Sequence, residues 1–149
     1  MVQFGGEFIS VPVAVLDAAK QKSRSLDNLF ARYADCLLAQ IFQSTACNAV
    51  HDIEQRAAKW ILAAMDRTGT DEVPLTQDRL SAMLGVGRSY VSRVVGRLKD
   101  EHILSVRRGR VLVHDKERLA SKSCSCNESV KSHFDTVLKG VYPDAETGN

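Results

Sequence analysis

The chain has 149 residues, 44% of them hydrophobic and 26% charged, which suits one ordinary domain or a small domain with a helical attachment. No apolar run is long enough to span a bilayer and the N-terminus lacks a basic stretch followed by an apolar core, so a cytoplasmic protein is expected. The net charge of +2 is uninformative as a total, but Arg88 to Arg110 holds seven basic side chains against two acidic ones, so that segment carries +5 and the remainder −3.

Residues 1 to 11 read as short and strand-like, and Pro12 is placed to open a short helix reaching about Lys22. From Ser25, a candidate cap, a longer helix begins. Its apolar side chains at Leu26, Leu29, Phe30, Tyr33, Leu37, Leu38, Ile41 and Phe42 recur at spacings of three and four. The stripe is wider than a coiled-coil seam, which leaves two readings open: a core helix of a single domain, or a dimer helix. In the second, Leu26, Phe30, Tyr33, Leu37 and Ile41 face a second copy. Ser44, Asn48 and His51 dilute the stripe, and a bend is expected near Val50 to Asp52. Asp52 then caps a helix through Trp60, Ile61, Leu62 and Met65, which Gly69 stops.

Thr68 to Pro74 read as a polar turn, after which Thr76 caps another helix. With Gln77 as the first position of a helix-turn-helix, the small Ser81 falls fifth, where two helices cross closely. Gly85 falls ninth, in the turn, where a left-handed backbone is needed. Leu80, Leu84, Val86, Val91 and Val94 occupy the fourth, eighth, tenth, fifteenth and eighteenth positions, all of which should be apolar. The outer face of the second helix then shows Gly87, Arg88, Ser89, Tyr90, Ser92, Arg93 and Arg97. Side chains at the start of such a helix enter the major groove of DNA, where arginine bonds O6 and N7 of guanine. Acidic partners that would mark an ordinary solvated face are missing from this stretch.

Beyond Glu101, Ile103, Leu104 and Val106 precede Arg107-Arg108-Gly109-Arg110, and Val111 to Val113 follow. That pattern reads as a hairpin with a basic tip, a wing beside the recognition helix that rests on phosphates. Asp115 caps a brief helix through Leu119, a last helix carries Val130, Phe134, Val137 and Leu138, and the tail from Pro143 is expected to be disordered. The fold class expected is mainly α with a small β-hairpin: a long dimerisation helix followed by a winged helix-turn-helix.

Other chemistries find little support. The four histidines lie in unrelated contexts, and no Gly-rich phosphate loop, nucleophile elbow or His-Glu-x-x-His is present, so an enzyme is not expected. Cys124-x-Cys126 with His133 offers three ligands for a metal, but the spacing is not that of a zinc knuckle and a fourth ligand is unassigned. Cys36 and Cys47 read as small packing residues, and the expectation is no metal and no cofactor. A winged helix that serves protein contact instead of DNA would usually lose the arginines that this one keeps.

From Tyr33 to Leu138 the chain resembles the C-terminal part of regulators of the Crp/Fnr family. The resemblance rests on LLAQ at Leu37, ACN at Ala46, IEQRAAKWIL at Ile53, PLTQDRLSAMLGVGRSYVSRVVGRL at Pro74, the RRGRVLV wing and the SCSC element. It implies a homodimer on a pseudo-palindromic operator, with RNA polymerase as a further partner, and places Arg88, Ser89 and Arg93 at base-reading positions. Thr76, Gly87, Tyr90, Ser92, Arg97, Arg107, Arg108 and Arg110 complete the expected DNA-binding set. The domains expected are 1–24 as the tail of a sensor, 25–50 as dimerisation helix, 51–142 as winged helix-turn-helix and 143–149 as tail. The residues before Leu26 are too few for the family's β-roll sensor, so no effector is expected to bind this chain. Cyclic-nucleotide, haem and N-terminal iron–sulfur sites are likewise not carried over.

Overall fold

Apolar residues at three- and four-residue spacings fold as helices throughout the computed structural model, which describes residues 9–141. The chain divides into two units: Ser44–Asn127, and residues 9–43 together with 128–141.

In the second of these units, α1 (Val13–Lys22) follows Pro12, whose φ of −58° already suits a helix start. The helix α2 (Arg24–Val50) begins one residue ahead of the expected Ser25. Its cap is Ser23, whose Oγ accepts from the Leu26 N–H at 3.3 Å. The last helix, α7 (Cys126–Val137), packs along the first half of α2. Tyr33 meets Phe134 edge to face at 6.2 Å, Arg32 donates to the Val137 carbonyl at 3.4 Å, and His133 Nε2 meets Asp35 Oδ2 at 2.9 Å. Leu26 is half-buried, whereas Phe30, Tyr33, Leu37, Leu38, Ile41 and Phe42 remain exposed along α2. Residues 9–12 form no strand, residues 1–8 of the strand-like stretch lie outside the described residues, and so does the 143–149 tail.

The unit Ser44–Asn127 starts on the last turns of α2, which ends at Val50 where the bend was expected. Asp52 opens α3 (Ile53–Thr68) with a capping box: its carboxylate accepts from Gln55 N–H, and the Gln55 side chain accepts from the Asp52 N–H. Gly69, at φ +66°, closes the helix. Next come β1 (Glu72–Val73), α4 (Gln77–Leu84), α5 (Arg88–Asp100), β2 (Leu104–Arg107), β3 (Arg110–Val113) and α6 (Lys116–Ser121). The stretch expected to be only a turn, Thr68 to Pro74, therefore contains a strand. β1 pairs antiparallel with β3, with Val73 opposite Val111, and the sheet order is β1-β3-β2.

The core of this unit lies between α3, the two helices α4 and α5, and the sheet. Ile61, Leu80, Val91, Val94, Leu98, Ile103, Leu104 and Leu119 are fully buried in it, each contributing about 1.5–3 kcal/mol relative to exposure. Arg56 on α3 is also buried and donates to the Leu84 carbonyl at 2.8 Å, satisfying an orphan acceptor at the end of α4, although its Nε has no partner among the described residues. That bond fixes α4, and through the turn α5, against the α3 scaffold.

Candidate nucleic-acid interface

The interface grows from the turn between α4 and α5. Thr76 accepts from the Arg79 N–H at 3.1 Å and starts α4; Gly85, at φ +69°, ends it. With no Cβ, that glycine makes the left-handed turn without strain, and α5 begins only three residues later. Val91, Val94, Val95 and Leu98 are buried, so the helical period leaves Arg88, Ser89, Tyr90, Ser92, Arg93 and Arg97 on the exposed side. No acidic residue lies in the first turn of α5, whose free N–H groups and dipole favour an anion.

Two contacts hold neighbouring elements to this face. Ser92 Oγ donates to Gln77 Oε1 at 2.7 Å, tying α5 to the start of α4. In the wing, Arg108 and Gly109 have φ of +44° and +81° and make the two-residue turn between β2 and β3. A Cβ on Gly109 would stand 3.2 Å from Thr76 Cγ2, so the wing tip lies against the cap of α4. Thr76, the basic wing and the α4–α5 pair are thus neighbours in one unit.

The cations are not equivalent. Arg88 Nε stands 3.3 Å from Asp78, Arg97 2.9 Å from Glu54, and Arg110 3.7 Å from Glu72. The expectation that acidic partners are missing is therefore corrected: they come from α4, α3 and β1, outside the basic stretch. Arg93, Arg107 and Arg108 pair with no acid among the described residues, and the Arg93 guanidinium lies over the Tyr90 ring, 4.9 Å from its centroid.

Residues 55–122 match the family model of the Crp-like helix-turn-helix domain. That segment is thus a Crp-like helix-turn-helix domain. A solved structure from Eubacterium rectale ATCC 33656, assigned to the Crp/Fnr family of transcriptional regulators, has the same fold, with a TM-score of 0.62 at 17% identity. The similarity covers 78% of this chain and 52% of that one, so the chain spans about half the length of its solved relative. No curated protein matches it. Among the described residues no helix is long and apolar enough to cross a membrane.

At the far end of α5 the Crp-like domain carries a charged network. Lys122 Nζ meets Glu101 at 2.8 Å and Glu54 at 3.4 Å, and Arg118 meets Glu101 at 3.4 Å. The hydrogen bond from Lys122 holds the Glu101 carboxyl below its ordinary range, and the same bond raises Lys122. This network anchors Arg97 through Glu54, which places that arginine in a structural set as well as on the exposed face of α5.

The Crp-like domain is flanked by a second constellation. Cys47 Sγ lies 3.7 Å from Cys124 Sγ, and Cys126 Sγ lies 3.5 Å from His51 Nδ1. All four cysteines of the chain are free. Burial pushes the Cys47 thiol up, but hydrogen bonds from Lys59 and Cys124 and the Lys59 charge outweigh it, leaving Cys47 low. Burial above all pushes Cys124 up to about 11. The imidazole in the group is that of His51, while His133, weighed with Cys124 and Cys126 on sequence, pairs with Asp35. The local signal for His51 was its position four residues after Cys47, one helical turn along the same face.

Proposed function

We propose that the chain is a sequence-specific transcription regulator that binds a pseudo-palindromic operator as a homodimer joined along α2. The observation that carries this reading is the two-sided α5: a wholly buried valine–leucine face behind, and Arg88, Ser89, Tyr90, Ser92 and Arg93 in front. Arg88, in the first turn, is the residue to read a guanine. Its exposed pair with Asp78 is weak and leaves the guanidinium free to exchange partners. Arg93 sits a little over one turn on, with its guanidinium over the Tyr90 ring, and Gly87 lets the backbone approach a phosphate. Thr76, Arg107, Arg108 and Arg110 contact phosphates around the wing and fix register. Arg97, engaged with Glu54, contributes position and no base preference.

Selection of preferred sites from a random DNA pool tests this assignment. Arg88→Ala should cost about 1–3 kcal/mol per half-site and relax one base pair at symmetric positions. Arg108→Ala should weaken all sequences alike and flatten the dependence of affinity on salt. An unchanged motif in Arg88→Ala together with an altered one in Arg97→Ala would overturn the placement of α5.

A further inference from the structure

Four metal-ligating side chains converge within the unit Ser44–Asn127: Cys47 on the last turns of α2, His51 just past its end, and Cys124 and Cys126 where α6 leads into α7. Their ligand atoms all lie within 4.8 Å of one another, with the three cysteines buried and His51 half-buried. We propose that Cys47, His51, Cys124 and Cys126 form a closed four-ligand site for one zinc ion.

Three independent features support it. The first is geometric. A tetrahedral zinc with Zn–S of about 2.3 Å and Zn–N of about 2.0–2.1 Å has sulfur–sulfur edges of about 3.8 Å and sulfur–nitrogen edges of about 3.6 Å. The Cys47–Cys124 separation is 3.7 Å and the Cys126–His51 separation is 3.5 Å. A disulfide would need its sulfurs at about 2.0 Å. A multinuclear iron–sulfur cluster sits inside its cysteines and needs them spread more widely than this group.

The second feature is electrostatic. Lys59 on α3 is only 7% exposed, and its ammonium lies 3.3 Å from Cys47 Sγ. Purely apolar packing of neutral thiols gives no reason to bury a cation beside them, because a buried charge is costly unless paired. Three thiolates and one imidazole around a dication carry one net negative charge, which Lys59 offsets. The third feature is location. The matched family domain spans 55–122, and all four ligands fall just outside it, two on each side. The ion would therefore clasp the segment entering the Crp-like domain to the segment leaving it. With four protein ligands and no open position, its role is structural, and binding releases the thiol protons to solvent.

The test uses the whole chain, purified under reductant and analysed for metal, then stripped and titrated with zinc and with cobalt. The expected result is one zinc per chain, and a cobalt form with the intense visible bands of a tetrahedral thiolate site. Cys124→Ser and His51→Ala should lose that spectrum. Cys36→Ser, outside the cluster, should keep it, and Lys59→Met should weaken metal affinity about tenfold while retaining the coordination bands. Circular dichroism separates loss of metal from loss of fold in each variant, and the cobalt titration of the parent stands without any variant. Failure of the reduced parent to take up either metal overturns the site, as does a cobalt spectrum that survives in Cys124→Ser.

Discussion

The exposed faces of α2 and α5 are opposites. On α5 the apolar residues are buried and the arginines face out. On α2 the apolar residues themselves face out: Ile41 is 59% exposed and Phe42 is 70% exposed. Both helices show the same three- and four-residue spacing in sequence. The difference is that α5 packs its apolar side chains against α3, α4 and β2, whereas much of the α2 stripe stays exposed among the described residues. Periodicity identifies a helix and one of its faces; it does not say whether the partner for that face belongs to the same chain.

The strongest way to break the comparison is to charge the α2 face. If a second copy covers it, the parent should scatter light as a dimer, and Leu37→Glu with Ile41→Glu should give a 16.4 kDa monomer at tens of micromolar. The Crp-like domain should keep its helical circular dichroism in that variant, because neither side chain belongs to the core of the unit Ser44–Asn127. A parent that is already monomeric would remove the homodimer from the proposed function.

A pair of matched truncations sharpens the contrast. Leu98 on α5 is fully buried, and Leu98→Ala should cost about 2–5 kcal/mol through lost transfer energy and the cavity left behind. Leu38 on α2 is 53% exposed, so Leu38→Ala should cost far less in dilute solution. Any cost it has should grow with protein concentration if association buries it. Urea unfolding at two concentrations measures both. Equal, concentration-independent losses at the two positions would mean that α2 is covered by its own chain after all.

How legible each region was follows from how local its determinants are. The helix-turn-helix was readable because Ser81, Gly85 and the valines that follow satisfy a fixed short spacing. The left-handed turn is visible as a single glycine. The wing was readable because its two-residue turn, Arg108-Gly109, sits between short apolar alternations. β1 was not, since two residues carry no period and its pairing depends on β3, some forty residues later. Counting charge from Arg88 to Arg110 likewise missed Asp78, Glu54 and Glu72, which only the fold brings to the arginines. The cysteine–histidine group failed for the same reason: Cys47 with His51 was a local signal, but their approach to Cys124 and Cys126 spans more than seventy residues.

The smallest effect expected concerns how the C-terminal end of α5 is held by its own chain. Glu101 faces Lys122 and Arg118, and Lys122 also faces Glu54, which in turn holds Arg97. Because Lys122 depresses the Glu101 carboxyl, that group's contribution is complete above the ordinary carboxylate range. It is lost as pH falls through the lowered folded value. Lys122 has the opposite sense: raised by Glu101, it contributes fully below its ordinary value and loses that contribution as pH rises through the higher folded one. The network should therefore add stability across neutral pH and fade at both extremes. Lys122→Met isolates it. The difference in urea midpoint between parent and variant should be flat near neutrality and shrink on acidification. It should also shrink with added salt, since the side chains are 27% and 36% exposed and solvent screens them. A difference that stayed unchanged as the pH fell would show that Lys122 acts by packing its stem and not by pairing with Glu101.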